Sequence, residues 1–192
     1  MLKFFSRFFR AKVGVKEMAP SFSFIPIRVF REEWLAVAVP DICISDMMRV
    51  KREFFDGIAC SAVLDLPFMR AHGAGSWLIR KRSVGNPSGV PFREGVAPGN
   101  TWKNQSTLLG GFEVAPPAYA VVYAIIACHM QTGEWLFSNE FVRCADAYMD
   151  GRDAVHACVG MASSSGMFIT SLPDRVSDGR YNTAVARRLK FF

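Results

Sequence analysis

The stretch AYAVVYAIIACHM, residues 118–130, is the segment that decides the predicted fold. It is rich in Val, Ile and Tyr, the residue types enriched in strands, and so predicts a central β-strand. The uncharged run around it, residues 114–133, contains two prolines, a histidine and a glutamine. Because its apolar centre is short, the run does not predict a transmembrane helix.

The segments that follow this stretch predict helix and then strand. QTGE, residues 131–134, is a turn, after which Ser138 or Asn139 caps a predicted helix through FVRCADAYMDG. A second helical segment is expected over RDAVHACVGMA, residues 152–162. A small-residue turn, residues 163–166, then leads into a short strand, MFITSL.

The segments before residues 118–130 predict strand and then helix. Two extended runs lie between residues 21 and 39, and the helix signal ISDMMRVKREFFDG follows over residues 44–57. Ser45 is the expected cap of that helix and Gly57 its expected end. Residues 58–64 read as a buried strand or a helix extension, and SWLIRKR, residues 76–82, reads as a strand that ends in three cations.

Together these segments predict an α+β fold: a single small domain over residues 18–192, with a mostly antiparallel sheet packed by two or three helices. Residues 1–17 form a flexible basic arm in this prediction. Glycine and proline are dense between residues 83 and 111, which predicts a long exposed loop there.

The net charge of +6 and the pI near 9.3 favour an anionic partner, either nucleic acid or acidic lipid. Five cations and one acid give the first 17 residues +4, which leaves +2 for the other 175. The five cysteines are scattered and odd in number, which favours reduced thiols in a cytosolic or nuclear compartment over a disulfide framework.

Enzymatic and metal chemistry have little support in the sequence. His72-Gly73-Ala74-Gly75 resembles an oxyanion loop, but without a G-x-S-x-G nucleophile it reads as a glycine-rich turn. Zinc-donor residue types fall within 31 residues, but without a closely spaced pair that would pre-form a site: Cys128, His129, Cys144, His156 and Cys158. No enzyme activity, cofactor or metal is therefore expected.

The first ten residues, MLKFFSRFFR, carry more information. At helical spacing their apolar and cationic side chains separate onto opposite faces, which suits a helix lying in a membrane interface. Two alternatives stay open: the aromatic side chains pack on the body or on a neighbouring subunit, or the arm binds nucleic acid. The predicted membrane-binding residues are Leu2, Lys3, Phe4, Phe5, Arg7, Phe8, Phe9, Arg10, Lys12 and Lys16.

Two further motifs are candidates for contact. Arg80, Lys81 and Arg82 at a strand end would add salt-sensitive affinity for a nucleocapsid or for lipid. Pro116, Pro117 and Tyr119 form P-P-x-Y, a ligand form that WW domains bind. The alternative for the second motif is that Tyr119 belongs to the core.

The basic amphipathic start, the long mid-chain loop, P-P-x-Y and the order of predicted elements over residues 20–172 resemble a rhabdovirus matrix protein, with a vesiculovirus-like order. In that order a strand, here AYAVVYAIIACHM, precedes a capped helical stretch, a small-residue turn and a final strand. Unlike in that family, P-P-x-Y lies here outside the N-terminal arm.

The resemblance implies a non-enzymatic viral structural protein of the virion. Such a protein binds the inner face of a membrane, self-associates as a homo-oligomer and condenses the nucleocapsid beneath the envelope. Acidic lipids, the nucleocapsid, other copies of the chain and a WW-domain host protein are its expected partners. The expected localisation is the virion, the host cytoplasm, the inner membrane surface and the nucleus. The alternative from another class is a small basic nucleic-acid-binding viral protein, such as a coat protein or a silencing suppressor.

Overall fold

The computed structural model describes residues 28–30, 33–57, 60–83 and 101–189. The predicted arm, residues 1–17, and residues 84–100 of the predicted loop lie outside this part of the chain. The described residues form these helices and strands, in chain order: β1 (Arg28–Phe30), β2 (Trp34–Ile42), α1 (Ile44–Val50), α2 (Pro67–Arg70), β3 (Gly73–Arg80), α3 (Trp102–Ser106), α4 (Ala118–Thr132), β4 (Phe141–Asp150), β5 (Asp153–Ser163), β6 (Gly166–Pro173), β7 (Tyr181–Thr183) and β8 (Ala186–Leu189).

The strands build two four-stranded sheets, which confirms the predicted α+β class with mostly antiparallel pairing. The first, sheet A, has the order β1-β2-β3-β8 with every neighbour antiparallel. The second, sheet B, has the order β6-β5-β4-β7, and its β4–β7 pair is parallel. The prediction placed one sheet where the structure has two.

The predicted central strand is a helix. α4 begins after Pro117, which is its N-cap, and ends at Gly133, whose positive φ of 75° suits a glycine at a helix end. The backbone N–H of Gly133 donates to the carbonyl of His129 at 2.8 Å. α4 packs against β2 and β3 of sheet A and against β4 and β5 of sheet B. Because apolar neighbours surround it on all sides, its sequence needs no polar face.

Two predicted helices are strands. FVRCADAYMDG forms β4 and RDAVHACVGMA forms most of β5, and the two pair as an antiparallel hairpin. Gly151, at a φ of 62°, lies in the turn between them. Ser138 and Asn139 therefore precede a strand and cap no helix. The predicted strand at MFITSL is confirmed as part of β6.

The helix expected over residues 44–57 is shorter and begins differently. α1 ends at Val50, and a 3-10 turn, Arg52–Phe54, follows it. Its cap is Cys43, whose sulfur accepts from the Asp46 N–H, while the expected cap Ser45 donates to the carbonyl of Met69 at 3.0 Å. The 61–63 segment is also a 3-10 turn, and α3 lies inside the predicted loop.

Sheet B encloses a buried arginine. Arg143 on β4 is fully buried, and its guanidinium donates to the Gln105 side-chain oxygen at 2.7 Å and to the Val176 carbonyl at 2.7 Å. Gln105 on α3 also accepts from the Thr183 hydroxyl at 3.0 Å and donates to the carbonyl of Tyr181. This network attaches α3 to β4 and β7, since a buried polar group must find partners inside the protein.

Candidate basic interaction surface

Three predicted contact residues lie at one end of sheet A. Arg80 is the last residue of β3 and pairs across the sheet with Trp34, the first residue of β2. The Lys81 N–H donates to the Glu33 carbonyl at 2.8 Å, which fixes the backbone just beyond the strand. Arg82 is exposed, while Arg80 and Lys81 are half-buried.

Strand β8 carries two cations that were not assigned to a site from the sequence. Arg187 and Arg188 are exposed, and β8 pairs with β3 so that Arg187 lies opposite Leu78, two residues from Arg80. The signal was the dipeptide Arg-Arg in the basic tail, but its position beside β3 depends on the sheet order. Arg188 lies opposite Trp77, so its side chain is on the other face of the sheet from Arg187. We call the four cations Arg80, Lys81, Arg82 and Arg187 the basic patch.

The charge of the basic patch is largely uncompensated. Within the described residues Arg187 has an ion pair, with Glu113 at 3.3 Å, whereas the other three cations have no carboxylate within 4 Å. Clustered cations of this kind attract phosphate-bearing partners, whether lipid headgroups or nucleic acid.

Aromatic side chains accompany these cations. The guanidinium of Arg187 lies 4.9 Å from the centre of the Trp34 ring. The guanidinium of Arg188 lies 5.7 Å from the centre of the Trp77 ring, on the opposite face of the sheet. Phe112 is 91% exposed. Val114, two residues later, exchanges backbone hydrogen bonds with Ala186 at 2.8 Å, which brings this segment to the edge of β8.

The first described strand belongs to the same sheet. β1 is an edge strand of sheet A and begins at Arg28. The predicted membrane-binding residues, Leu2 to Lys16, lie outside the described residues. β1 begins opposite Ala36, and its last residue, Phe30, lies opposite Trp34 at the end of the sheet that holds the basic patch.

The P-P-x-Y motif forms the start of α4. Pro116 is buried and its carbonyl accepts from the Ala145 N–H at 2.9 Å, while Pro117 caps the helix. Tyr119 lies in the first turn and packs against the core, beside Gly73, where its ring fills the space that a Cβ would need. Binding to a WW domain would require this turn to unwind, because WW domains bind an extended polyproline segment.

The zinc donors considered in the sequence do not meet. Cys128 and His129 lie on α4, whereas Cys144, His156 and Cys158 lie in sheet B, and no metal-ligating group forms among them in the described chain. His156 instead pairs with Asp174 at 2.5 Å and stacks on Trp102. Burial raises the pKa of the Cys158 thiol to about 12. These thiols are core groups.

The residues that can hold a metal are different ones: Cys43, Asp46 and His72 converge between β2 and β3. Gly73, Ala74 and Gly75, expected as a turn, are the first residues of β3. In the described residues, no helix has both the length and the apolar character to cross a membrane.

Comparison of the chain with protein-family models, with characterised proteins and with solved structures found no match.

Proposed function

We propose that this chain is a non-enzymatic, matrix-type structural protein that binds the anionic inner face of a membrane during the assembly of an enveloped virus. In this proposal the protein self-associates on that surface and gathers the nucleocapsid beneath it. The observation that carries the proposal is the basic patch beside Trp34, and the amphipathic N-terminal sequence, residues 1–10, adds to it.

Cations and aromatic rings on one surface suit a lipid interface for physical reasons. Arginine and lysine near an anionic leaflet contribute about 1 kcal/mol each, and tryptophan and phenylalanine favour the headgroup region. One such site gives marginal binding, and stable anchoring takes two. The N-terminal segment and the basic patch provide two such attractions.

The order of elements in the family resemblance gives this proposal no support. That order requires a strand and then a helical stretch, whereas the chain has a helix, α4, and then a pair of strands, β4 and β5. The proposal is therefore based on the surface chemistry and on the N-terminal sequence.

Sedimentation of the full-length protein with vesicles tests the proposal. Two kinds of vesicle are compared: phosphatidylcholine alone, and phosphatidylcholine with about one-third phosphatidylserine. They differ in headgroup charge but present the same surface area, so the difference in binding between them measures the effect of charge. The patch variant removes the three cations that end β3: R80Q, K81Q and R82Q. The arm variant replaces four N-terminal rings with serine: Phe4, Phe5, Phe8 and Phe9. A matched control removes three exposed cations elsewhere: R52Q, R70Q and R152Q.

The patch variant should bind acidic vesicles about a hundredfold more weakly, since three cations contribute about 3 kcal/mol. The arm variant should also lose binding, and the control should lose much less than either. Equal losses in the patch and control variants would show that net charge alone drives binding. Tight RNA binding with a steep salt dependence, and no binding to vesicles, would favour the nucleic-acid alternative instead.

A further inference from the structure

A cluster of metal-ligating side chains lies where β2 and β3 approach α1. Ile42 pairs with Gly73 at the far end of the β2–β3 ladder from the basic patch. The residue after Ile42 is Cys43, and the residue before Gly73 is His72. The sheet register therefore brings a thiol and an imidazole together across 29 residues of sequence, and α1 adds the carboxylate of Asp46.

The distances within the cluster match a tetrahedral metal site. The sulfur of Cys43 lies 3.3 Å from Asp46 Oδ2, and His72 Nε2 lies 3.7 Å from the same oxygen. All three ligand atoms lie within 4.8 Å of one another. Zinc bonds of about 2.3 Å to sulfur and about 2.1 Å to nitrogen or oxygen place tetrahedral donors about 3.4–3.6 Å apart. Shifts of about 1 Å or less would complete the geometry.

The surroundings of these groups are those of metal ligands. The second ring nitrogen of His72, Nδ1, faces Asp41 Oδ1 at 3.6 Å, and a carboxylate is one of the groups that receive the other ring N–H of zinc-bound histidines, along with backbone carbonyls and water. The other oxygen of Asp46 accepts from Arg49 at 3.1 Å, which orients the carboxylate. The Asp46 N–H donates to the Cys43 sulfur at 3.4 Å, a contact that also suits a thiolate.

We propose that Cys43, Asp46 and His72 bind one Zn²⁺ ion, with water as the fourth ligand and Asp41 as the residue that positions His72. Binding releases the thiol proton of Cys43 to solvent and forms a metal–thiolate bond. Sulfur and imidazole ligands select zinc over magnesium or calcium, which prefer oxygen. The side chain of His72 is 56% exposed, so the ion can enter from solvent.

The ion joins Cys43, the residue after the end of β2, to His72, the residue before the start of β3. It thereby closes the segment that contains α1 and α2 into a loop. A metal bound by the folded chain and not by the unfolded one stabilises the fold. This inference is independent of the proposed membrane function.

Cobalt titration of the full-length protein tests the site. Protein stripped of metal under reducing conditions is titrated with Co²⁺, which gives a sulfur-to-cobalt charge-transfer band only when a thiolate binds it. We expect one Co²⁺ per chain with this band, and its displacement by Zn²⁺. C43S should abolish the band, H72N should weaken affinity more than a hundredfold, and D41N should weaken it about tenfold.

The double variant C128S/H129N is the matched control, because it removes the adjacent Cys-His pair on α4 and should leave binding unchanged. His72 and Asp41 are exposed, so their variants report on binding even if C43S fails to fold. Binding without the charge-transfer band, binding that H72N leaves intact, or loss of binding in folded C128S/H129N alone would each overturn the proposal. Absence of one-to-one uptake would also overturn it.

Discussion

Replacing Arg143 with methionine tests whether the buried network in sheet B holds the fold. The guanidinium is fully buried and donates at 2.7 Å to both the Gln105 side chain and the Val176 carbonyl. A hydrogen bond to a charged group contributes about 1.5–3 kcal/mol. Gln105 keeps its bond from Thr183, and the methionine buries apolar surface, so the net loss should be about 3 kcal/mol.

The measurement is equilibrium unfolding in urea, followed by tryptophan fluorescence. With a slope of about 2–3 kcal/mol per molar urea, a loss of about 3 kcal/mol lowers the midpoint by about 1–1.5 M. The matched control is R152M at an exposed position, which should change stability by less than about 0.5 kcal/mol.

A double-mutant cycle with Q105L measures the interaction energy between Arg143 and Gln105 separately from the free-energy cost of burying the arginine. The two substitutions should be non-additive by about 1–2 kcal/mol, because the side chains share a direct hydrogen bond. Additive losses, or an R143M midpoint equal to that of R152M, would refute the idea that this network attaches α3 to the sheet.

Three other predictions concern the described fold. G160A should lower the free energy of unfolding in urea by about 3 kcal/mol, because the φ of Gly160 is 149° and a Cβ there would strike the Glu140 carbonyl. G111A is its control and should change stability little, because a Cβ at Gly111 meets open space. Burial raises the pKa of the Asp146 carboxyl above its ordinary value of 3.8, so the unfolded chain loses this proton at a lower pH than the folded chain. The free energy of unfolding therefore falls as the pH rises from the unfolded to the folded pKa. In D146N this fall should vanish, and a pH profile of urea midpoints equal to that of the unmutated protein would contradict the prediction. All five cysteines are buried, so a thiol reagent should react slowly with the native protein and with five thiols per chain in denaturant; fewer than five would indicate a disulfide.

The α+β class could be predicted from the sequence, but the identity of its longest helix could not be read from residue types alone. Residues 118–130 are rich in valine, isoleucine and tyrosine, and periodicity cannot separate a fully buried helix from a buried strand. The flanking residues carried the usable signal. Pro117 before the segment and Gly133 after it are typical of a helix start and a helix end.

Strands β4 and β5 were predicted as helices, with Ser138 or Asn139 as the cap before them. Along these strands polar residues interrupt the apolar ones at irregular intervals. The structure explains the irregularity through tertiary contacts. Arg143 is a buried charged residue at a position that a strand pattern would assign to an apolar one, and its partners come from residues 105 and 176. Local sequence does not contain those partners, so tertiary structure overrides the pattern here.

The two candidate sites differ in how far sequence could locate them. Arg80, Lys81 and Arg82 are adjacent in the chain and could be found by inspection. Arg187 joins them only because β8 pairs with β3. Cys43 and His72 are separated by 29 residues of sequence, and only the register of β2 against β3 reveals that they converge.

The basic patch and the Cys43–Asp46–His72 cluster lie at opposite ends of the same pair of strands. β2 has nine residues, so about 25–30 Å separates the two ends. At about three Debye lengths under physiological salt, a metal ion at one end has little direct electrostatic effect on lipid binding at the other. Any coupling would therefore pass through the β2–β3 ladder itself. C43S that binds cobalt poorly but binds acidic vesicles normally would show two independent sites, whereas loss of both would show that the ion holds β2 and β3 in the register that assembles the basic patch.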